Sequence, residues 1–201
     1  MRTLALAISV FLVVLGAVSA PGQPAPLTIR SSEPVVVYGK QVRVSGVLRG
    51  RPDDAQVTLY LRRHGENAFS PVSVVGTDAR GAWSFAFEPT VRSSIEARSG
   101  GLRSVTVTVR VRPRLTLRRR GEGLFAQAIA ARSYRGRYVW LQRRSSRGMW
   151  RSVRRVVLDD PPRLFQAPLP RGVSRVRVSL PRRQAGPGYE PAVSRSVVLR
   201  R

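Results

Sequence analysis

Two sets of side chains in this sequence could do chemistry, and they point in different directions. The first is sparse. His64 is the only histidine. It follows Arg62-Arg63 and precedes Gly65-Glu66-Asn67, a hairpin-like loop after a strand, and no serine elbow accompanies it as nucleophilic catalysis would require. Asp53-Asp54 and Asp159-Asp160 are adjacent carboxylates, each beside proline, where a turn is expected. Neighbours on a turn do not flank a substrate as the two carboxylates of a glycosidase do, and neither pair has the further oxygens of a calcium loop. Cysteine is absent, which removes disulfides, thiolate metal ligands and a catalytic thiol. No glycine-rich phosphate loop opens a helix. The expectation is a chain that is not an enzyme and has no catalytic, cofactor or metal residues.

The second set is dense. The formal net charge is +25, from 36 basic and 11 acidic residues, and every basic residue except Lys40 is arginine. Residues 20–112 hold 13 basic and 7 acidic residues, net +6; residues 113–201 hold 22 and 4, net +18. The excess therefore belongs to the second half. Arg118, Arg119, Arg120, Arg143, Arg144, Arg147, Arg151 and Arg154 cluster there, with Tyr138 and Trp140 interleaved. Arg155, Arg182 and Arg183 lie in the same runs, and Arg175 and Arg177 share one strand face expected in solvent. Guanidinium forks match phosphate and carboxylate oxygens, and exposed rings stack on sugars or bases. The ten residues from Arg118 to Arg154, Tyr138 and Trp140 included, are the candidate anion-binding set.

Those side chains must be carried by strands. Val105 to Val111 alternates, with four valines on one face and Thr106, Thr108 and Arg110 on the other, the period of a half-buried strand. Val57, Leu59 and Leu61 alternate with Thr58, Tyr60 and Arg62; Trp83, Phe85 and Phe87 alternate with Ser84, Ala86 and Glu88 and are expected in a core. Turn signals separate the runs at Gly39-Lys40, Asp78-Ala79-Arg80-Gly81 and Gly100-Gly101. With Val139 and Leu141 inward, Tyr138 and Trp140 point out. Trp150 is expected in the core, as the counterpart of Phe69. Further candidate strands run over residues 124–131, 137–144, 150–158, 173–180 and 193–199, with no helix between them. Val57-x-Leu59, Arg62-Arg63 and Phe69-Ser70-Pro71-Val72 echo Val139-x-Leu141, Arg143-Arg144 and Trp150-Arg151-Ser152-Val153, which suggests a diverged internal duplication.

The N-terminus reads as a targeting segment. Arg2 is followed by the apolar run Leu4 to Ala17, then by small residues to Ala20, the order of a secretory signal peptide. The run is short for an uncleaved membrane anchor, which is the alternative. The expected division is a signal peptide at 1–20, a Pro-rich linker at 21–26, and β units at 27–112 and 113–201.

Val36-Val37-Tyr38-Gly39, Val42-x-Val44-Ser45-Gly46-x-Leu48, Thr77-Asp78-Ala79-Arg80-Gly81-x-Trp83-Ser84-Phe85 and Gly100-Gly101-x-x-Ser104-Val105-Thr106-Val107 together resemble bacterial immunoglobulin-like domains. Residues 113–201 match less clearly, with Asp159-Asp160-Pro161-Pro162 where the Asp-x-x-Gly turn would stand. The resemblance implies an all-β chain of two tandem immunoglobulin-like antiparallel sandwiches. It also implies export, and service as a spacer, an adhesion module or a wall-associated domain.

The functional expectation is an exported, envelope-associated module that contacts anionic cell-wall or surface polymers through its second unit. The alternatives are a ligand-free spacer and an adhesion module for another envelope protein. Nucleic acid is disfavoured as a partner because no helix-turn-helix, RNA-binding or zinc signature is present. Membrane contact is expected only through an uncleaved N-terminal segment.

Overall fold

The computed structural model describes residues 26–50 and 54–200. The expected signal peptide, nearly all of the linker, and Asp53 of the first carboxylate pair lie outside the described residues. Among those described, no helix is long and apolar enough to cross a membrane.

The first nine strands are β1 (Arg30–Ser31), β2 (Val35–Val37), β3 (Val42–Val47), β4 (Gln56–Arg63), β5 (Ser70–Gly76), β6 (Ala82–Phe87), β7 (Ser93–Ser99), β8 (Leu102–Arg103) and β9 (Val107–Arg112). One sheet has the order β1-β3-β6. The other runs β2-β9-β7-β4-β5, with β8 paired to β7. Their inner faces bury Val42, Val44 and Trp83 against Val57, Leu59, Ile95, Ala97, Val109 and Val111. Alternation drives this assembly, because each strand has one apolar face that only a second sheet can cover. Truncating Leu59, which is fully buried, to alanine costs about 2–5 kcal/mol. Two expectations shift here. Phe85 and Phe87 are half-buried at the core margin and stack at 6.0 Å with an interplanar angle of 6°. Val105 is 69% exposed and precedes the strand, because Ser104 turns inward just before it.

One turn was legible in advance. Asp78 Oδ1 accepts the backbone N–H of Arg80 at 2.9 Å and of Ala82 at 2.8 Å. Gly81 has φ +74°, and a Cβ there would lie 2.1 Å from the Leu48 carbonyl oxygen. Aspartate and glycine are the residues such a turn requires.

The second group contains β10 (Arg114–Arg120), β11 (Gly123–Ile129), β12 (Tyr138–Arg144), β13 (Trp150–Val157), β14 (Val173–Leu180), the short helix α1 (Arg182–Ala185), β15 (Ala192–Val193) and β16 (Val197–Arg200). β10 and β11 form one sheet. β13-β12-β14 forms the other, with β15 and β16 both on β14. Val139, Leu141, Val176, Val178 and Leu180 are fully buried between the two. Where the first sandwich has β6, this one has an irregular stretch touching β11 through a single bridge, Leu124 to Phe165. Pro161, Pro162, Pro168 and Pro170 in that stretch lack the N–H that a ladder needs. The strand expected over 193–199 is likewise broken at Ser194, and α1 is a helical turn that the strand reading omitted.

The two units correspond in register. β4 pairs Tyr60 with Glu96 and Leu59 with Ala97; β12 pairs Gln142 with Arg177 and Leu141 with Val178. The β4–β5 ladder slips between Leu59 and Tyr60, and β12–β13 between Leu141 and Gln142. Val72 and Val153 are thus equivalent bulges. Ser104 Oγ accepts the Ala97 N–H at 2.9 Å, and Ser194 Oγ accepts that of Val178 at 3.0 Å. The strand order makes both units immunoglobulin-like β-sandwiches.

The sandwiches touch through residues 186–190. The Arg92 N–H donates to the Gly188 carbonyl at 3.0 Å, and the Glu190 N–H to the Val111 carbonyl at 2.8 Å. The Tyr189 hydroxyl donates to the Thr90 carbonyl at 2.9 Å, and burial raises its pKa. The Glu190 carboxylate lies 3.0 Å from Arg182 and 4.0 Å from Arg110.

Candidate functional site

The outer face of β13-β12-β14 brings aromatic rings and guanidinium groups together. Tyr138, Trp140 and Gln142 alternate outward along β12, since Val139 and Leu141 are fully buried. Trp140 is 37% exposed. Its ring meets Tyr138 edge-on at 5.8 Å and 81°. Trp140 lies opposite Arg155 on one side and Ser179 on the other. The Arg155 guanidinium stands 4.3 Å from the Tyr138 ring centroid. Arg177 lies 4.1 Å over Trp150 and donates from Nε to Gln142 Oε1 at 2.9 Å. Burial lowers the Arg177 pKa. Among the described residues no carboxylate pairs with Arg155, Arg175 or Arg177.

The ten expected residues do not form one cluster. Tyr138 and Trp140 sit on this face as expected. Arg144 donates to the Gly148 carbonyl at 3.2 Å, and Arg147 is exposed beside it in the β12–β13 turn. Arg143 pairs with buried Val176 and with Arg151, so Arg143 and Arg151 occupy the core side of the sheet, past its packed part. Arg154 also lies on that side, opposite Leu141, and donates to the Gln166 carbonyl at 2.6 Å. Arg118, Arg119 and Arg120 end β10 on the other sheet, where Arg119 bonds the Gly121 carbonyl at 2.8 Å and meets Glu122 at 3.4 Å.

Trp150 is half-buried on the outer face rather than in the core. The reason is the bulge at Val153. Strict alternation from Trp150 puts Ser152 and Arg154 on its face; the extra residue flips the parity and puts Arg155 there instead. Arg175 and Arg177 carried a usable signal, their alternation with Val176 and Val178.

The first sandwich closes the equivalent face by itself. Glu96, in the position of Arg177, is fully buried and binds Arg98 at 2.6 Å and Arg103 at 2.5 Å. Arg98 also covers the Tyr60 ring at 3.9 Å. Burial alone would raise the Glu96 carboxyl, and the hydrogen bonds from Arg103 and Arg98 outweigh it, holding it below the usual range. One carboxylate offsets part of the charge there; among the described residues none does so on the second face.

The residues expected to lack catalytic roles are placed apart. His64 Nδ1 accepts a hydrogen bond from Arg92 Nη2 at 2.7 Å. Asp159 lies 3.8 Å from Arg163. Among the described residues, no three His, Cys, Asp or Glu side chains gather as a metal site.

No family profile matches the chain, and no curated protein is similar to it. Among solved structures, it is similar to the FN1–FN3 domains of chicken CNTN1, at 11% identity over 90% of this chain and 69% of that one, with a TM-score of 0.28. It is also similar to dimeric latent PorU from Porphyromonas gingivalis, at 10% identity over 86% of this chain and 24% of that one, with a TM-score of 0.29. At such scores the fold assignment rests on the chain's own strand order.

Proposed function

We propose that this chain is an exported, envelope-associated binding module, without catalytic activity, whose second sandwich holds anionic cell-wall or surface polymers on the outer face of β13-β12-β14. The observation that carries the reading is the charge reversal between equivalent positions. Glu96 pairs with two arginines in the first sandwich, and Arg177 stands in its place in the second with no carboxylate partner among the described residues. An anionic chain laid over Trp140 and Trp150 supplies the missing charge. Arg155, Arg175 and Arg177 contact its phosphates or carboxylates, and the rings stack on its sugars. Export rests on the basic, apolar and small-residue order of residues 1–20.

The test is co-sedimentation of the purified protein with cell-wall material across a salt series. Binding that falls steeply as salt rises, and is lost in an R155Q/R175Q/R177Q variant, is the expected result. Absence of binding at low salt, or binding indifferent to that variant, overturns it. Stronger competition by duplex DNA than by wall polymer of equal charge would move the assignment to nucleic acid. A second reading, a ligand-free stiff spacer, is favoured by one feature, the contacts of Gly188, Tyr189 and Glu190 across the junction.

A further inference from the structure

A second concentration of unmatched cations lies at the junction, at the β15 edge of the sheet just described, where Val193 pairs with Ser179. A groove of about 560 Å³ runs between the sandwiches, its lining including Lys40, Arg112, Arg114, Arg118 and Arg195. All five are exposed. Among the described residues none of them is in an ion pair. Between them the accessible apolar lining is Val37, the Thr116 methyl and Val193. Leu115 and Leu117 are buried by the fold, and the half-buried Thr116 stands between them, on the side of β10 that carries Arg114 and Arg118. The volume falls in the range of about 300–1,000 Å³ usual for small-ligand sites.

Five like charges gathered around a cleft repel one another unless an anion or solvent intervenes. One arginine fork satisfies a single carboxylate, so this number of cations suits a group with more charge. A phosphate monoester carries roughly −1.5 to −2 at neutral pH and offers three oxygens to guanidinium forks. The apolar lining adds a second requirement, because a bare phosphate leaves it uncovered, whereas an attached hydrocarbon covers it.

We infer that the groove between the two sandwiches binds an amphiphilic phosphate, its head held by Arg112, Arg114, Arg118 and Arg195 and its hydrocarbon laid against Val37, the Thr116 methyl and Val193. The site needs residues from both sandwiches, and the contacts at Tyr189 and Glu190 hold them at the separation that forms it. It shares no residue with the polymer face, which it adjoins at Val193.

Calorimetric titration of the purified protein tests this, with n-octyl phosphate below its micelle concentration as probe. Inorganic phosphate and octyl glucoside supply the two halves of the ligand separately. Octyl phosphate is expected to bind at least about tenfold more tightly than inorganic phosphate, and octyl glucoside to give no saturable heat. An R112Q/R114Q/R118Q variant loses about tenfold or more, while R155Q/R175Q/R177Q keeps the full affinity. Amide shifts at Thr116 and Val193 on adding octyl phosphate give a second readout on the unaltered chain. Equal affinity for octyl phosphate and inorganic phosphate overturns the inference. So does unchanged affinity in the groove variant, or no shift at Thr116 and Val193.

Discussion

Glu96 and Arg177 occupy the same place in two copies of one sheet. Each is paired across the ladder with the residue just beyond a register slip, Tyr60 for Glu96 and Gln142 for Arg177. Each lies one residue before the strand position whose N–H is bonded by an inward serine. In one copy two arginines close on a carboxylate; in the other an arginine lies on a tryptophan ring with a glutamine amide as its partner.

That relationship predicts which arginines bind polymer. R155Q/R175Q/R177Q and R143Q/R151Q/R154Q remove the same formal charge from opposite sides of one sheet. Retention on heparin at moderate salt should fall sharply for the first variant and much less for the second. Trp140→Ala should weaken binding to a sugar-containing polyanion by about 1–3 kcal/mol, the worth of one stacking platform. Equal losses for the two triple variants would mean that net charge alone decides.

Glu96→Gln should destabilise the first sandwich by about 2 kcal/mol, below the range for a fully buried pair because both arginines are partly exposed. The pH dependence has a definite sign. The folded carboxyl lies below its ordinary value of 4.5, so its contribution is present above that value. It is lost as pH falls through the folded value. Urea unfolding of the natural chain should weaken on acidification in that window, and the variant should show a flatter profile there.

Asp78→Ala should cost about 1 kcal/mol, because two backbone N–H groups lose their acceptor while remaining near solvent. Gly81→Ala should cost more, since its Cβ would meet the Leu48 carbonyl and its φ is positive. Neither should alter polymer binding. Thermal unfolding beside the heparin assay checks both statements.

Tyr189→Phe combined with Glu190→Gln removes one hydrogen bond and one charge contact across the junction, and the pairing of Glu190 with Arg182 inside the second sandwich. Small-angle scattering should show a broader distribution of interatomic distances, while circular dichroism of the strands stays unchanged. Affinity for octyl phosphate should fall with it, because the groove draws on both sandwiches.

The strands and the outward direction of Tyr138 and Trp140 were legible from alternation, since a two-residue period leaves each side chain one choice of face. The turn at Asp78 was legible because few residue types make it. What escaped was set by single residues that break the period. Val153 reversed the face assigned to Trp150 and put Arg155 where Arg154 was expected. Ser104 displaced Val105 from its strand by turning its hydroxyl inward. Arg143, matched by sequence to Arg62, aligns in register with Leu61, a buried leucine of the first sandwich. An arginine there contradicts the apolar pattern that sequence matching follows. The groove at the junction was not legible, because Lys40, Arg118 and Arg195 meet only through the packing of two units.

The inward serines locate where this architecture tolerates growth. Ahead of Ser104, Arg98 pairs with Arg103 and Ser99 with Leu102 around Gly100-Gly101. Ahead of Ser194, Ser179 pairs with Val193 and Leu180 with Ala192, but residues 181–191 fill the tip. The helical turn and all of Gly188, Tyr189 and Glu190 reside in that enlarged tip. The contacts that bridge the tandem are therefore a modular feature, carried by one hairpin end and not by either core. Grafting Gly-Gly in place of residues 181–191 would turn a braced pair into beads on a string, and grafting the longer tip elsewhere would offer a portable brace.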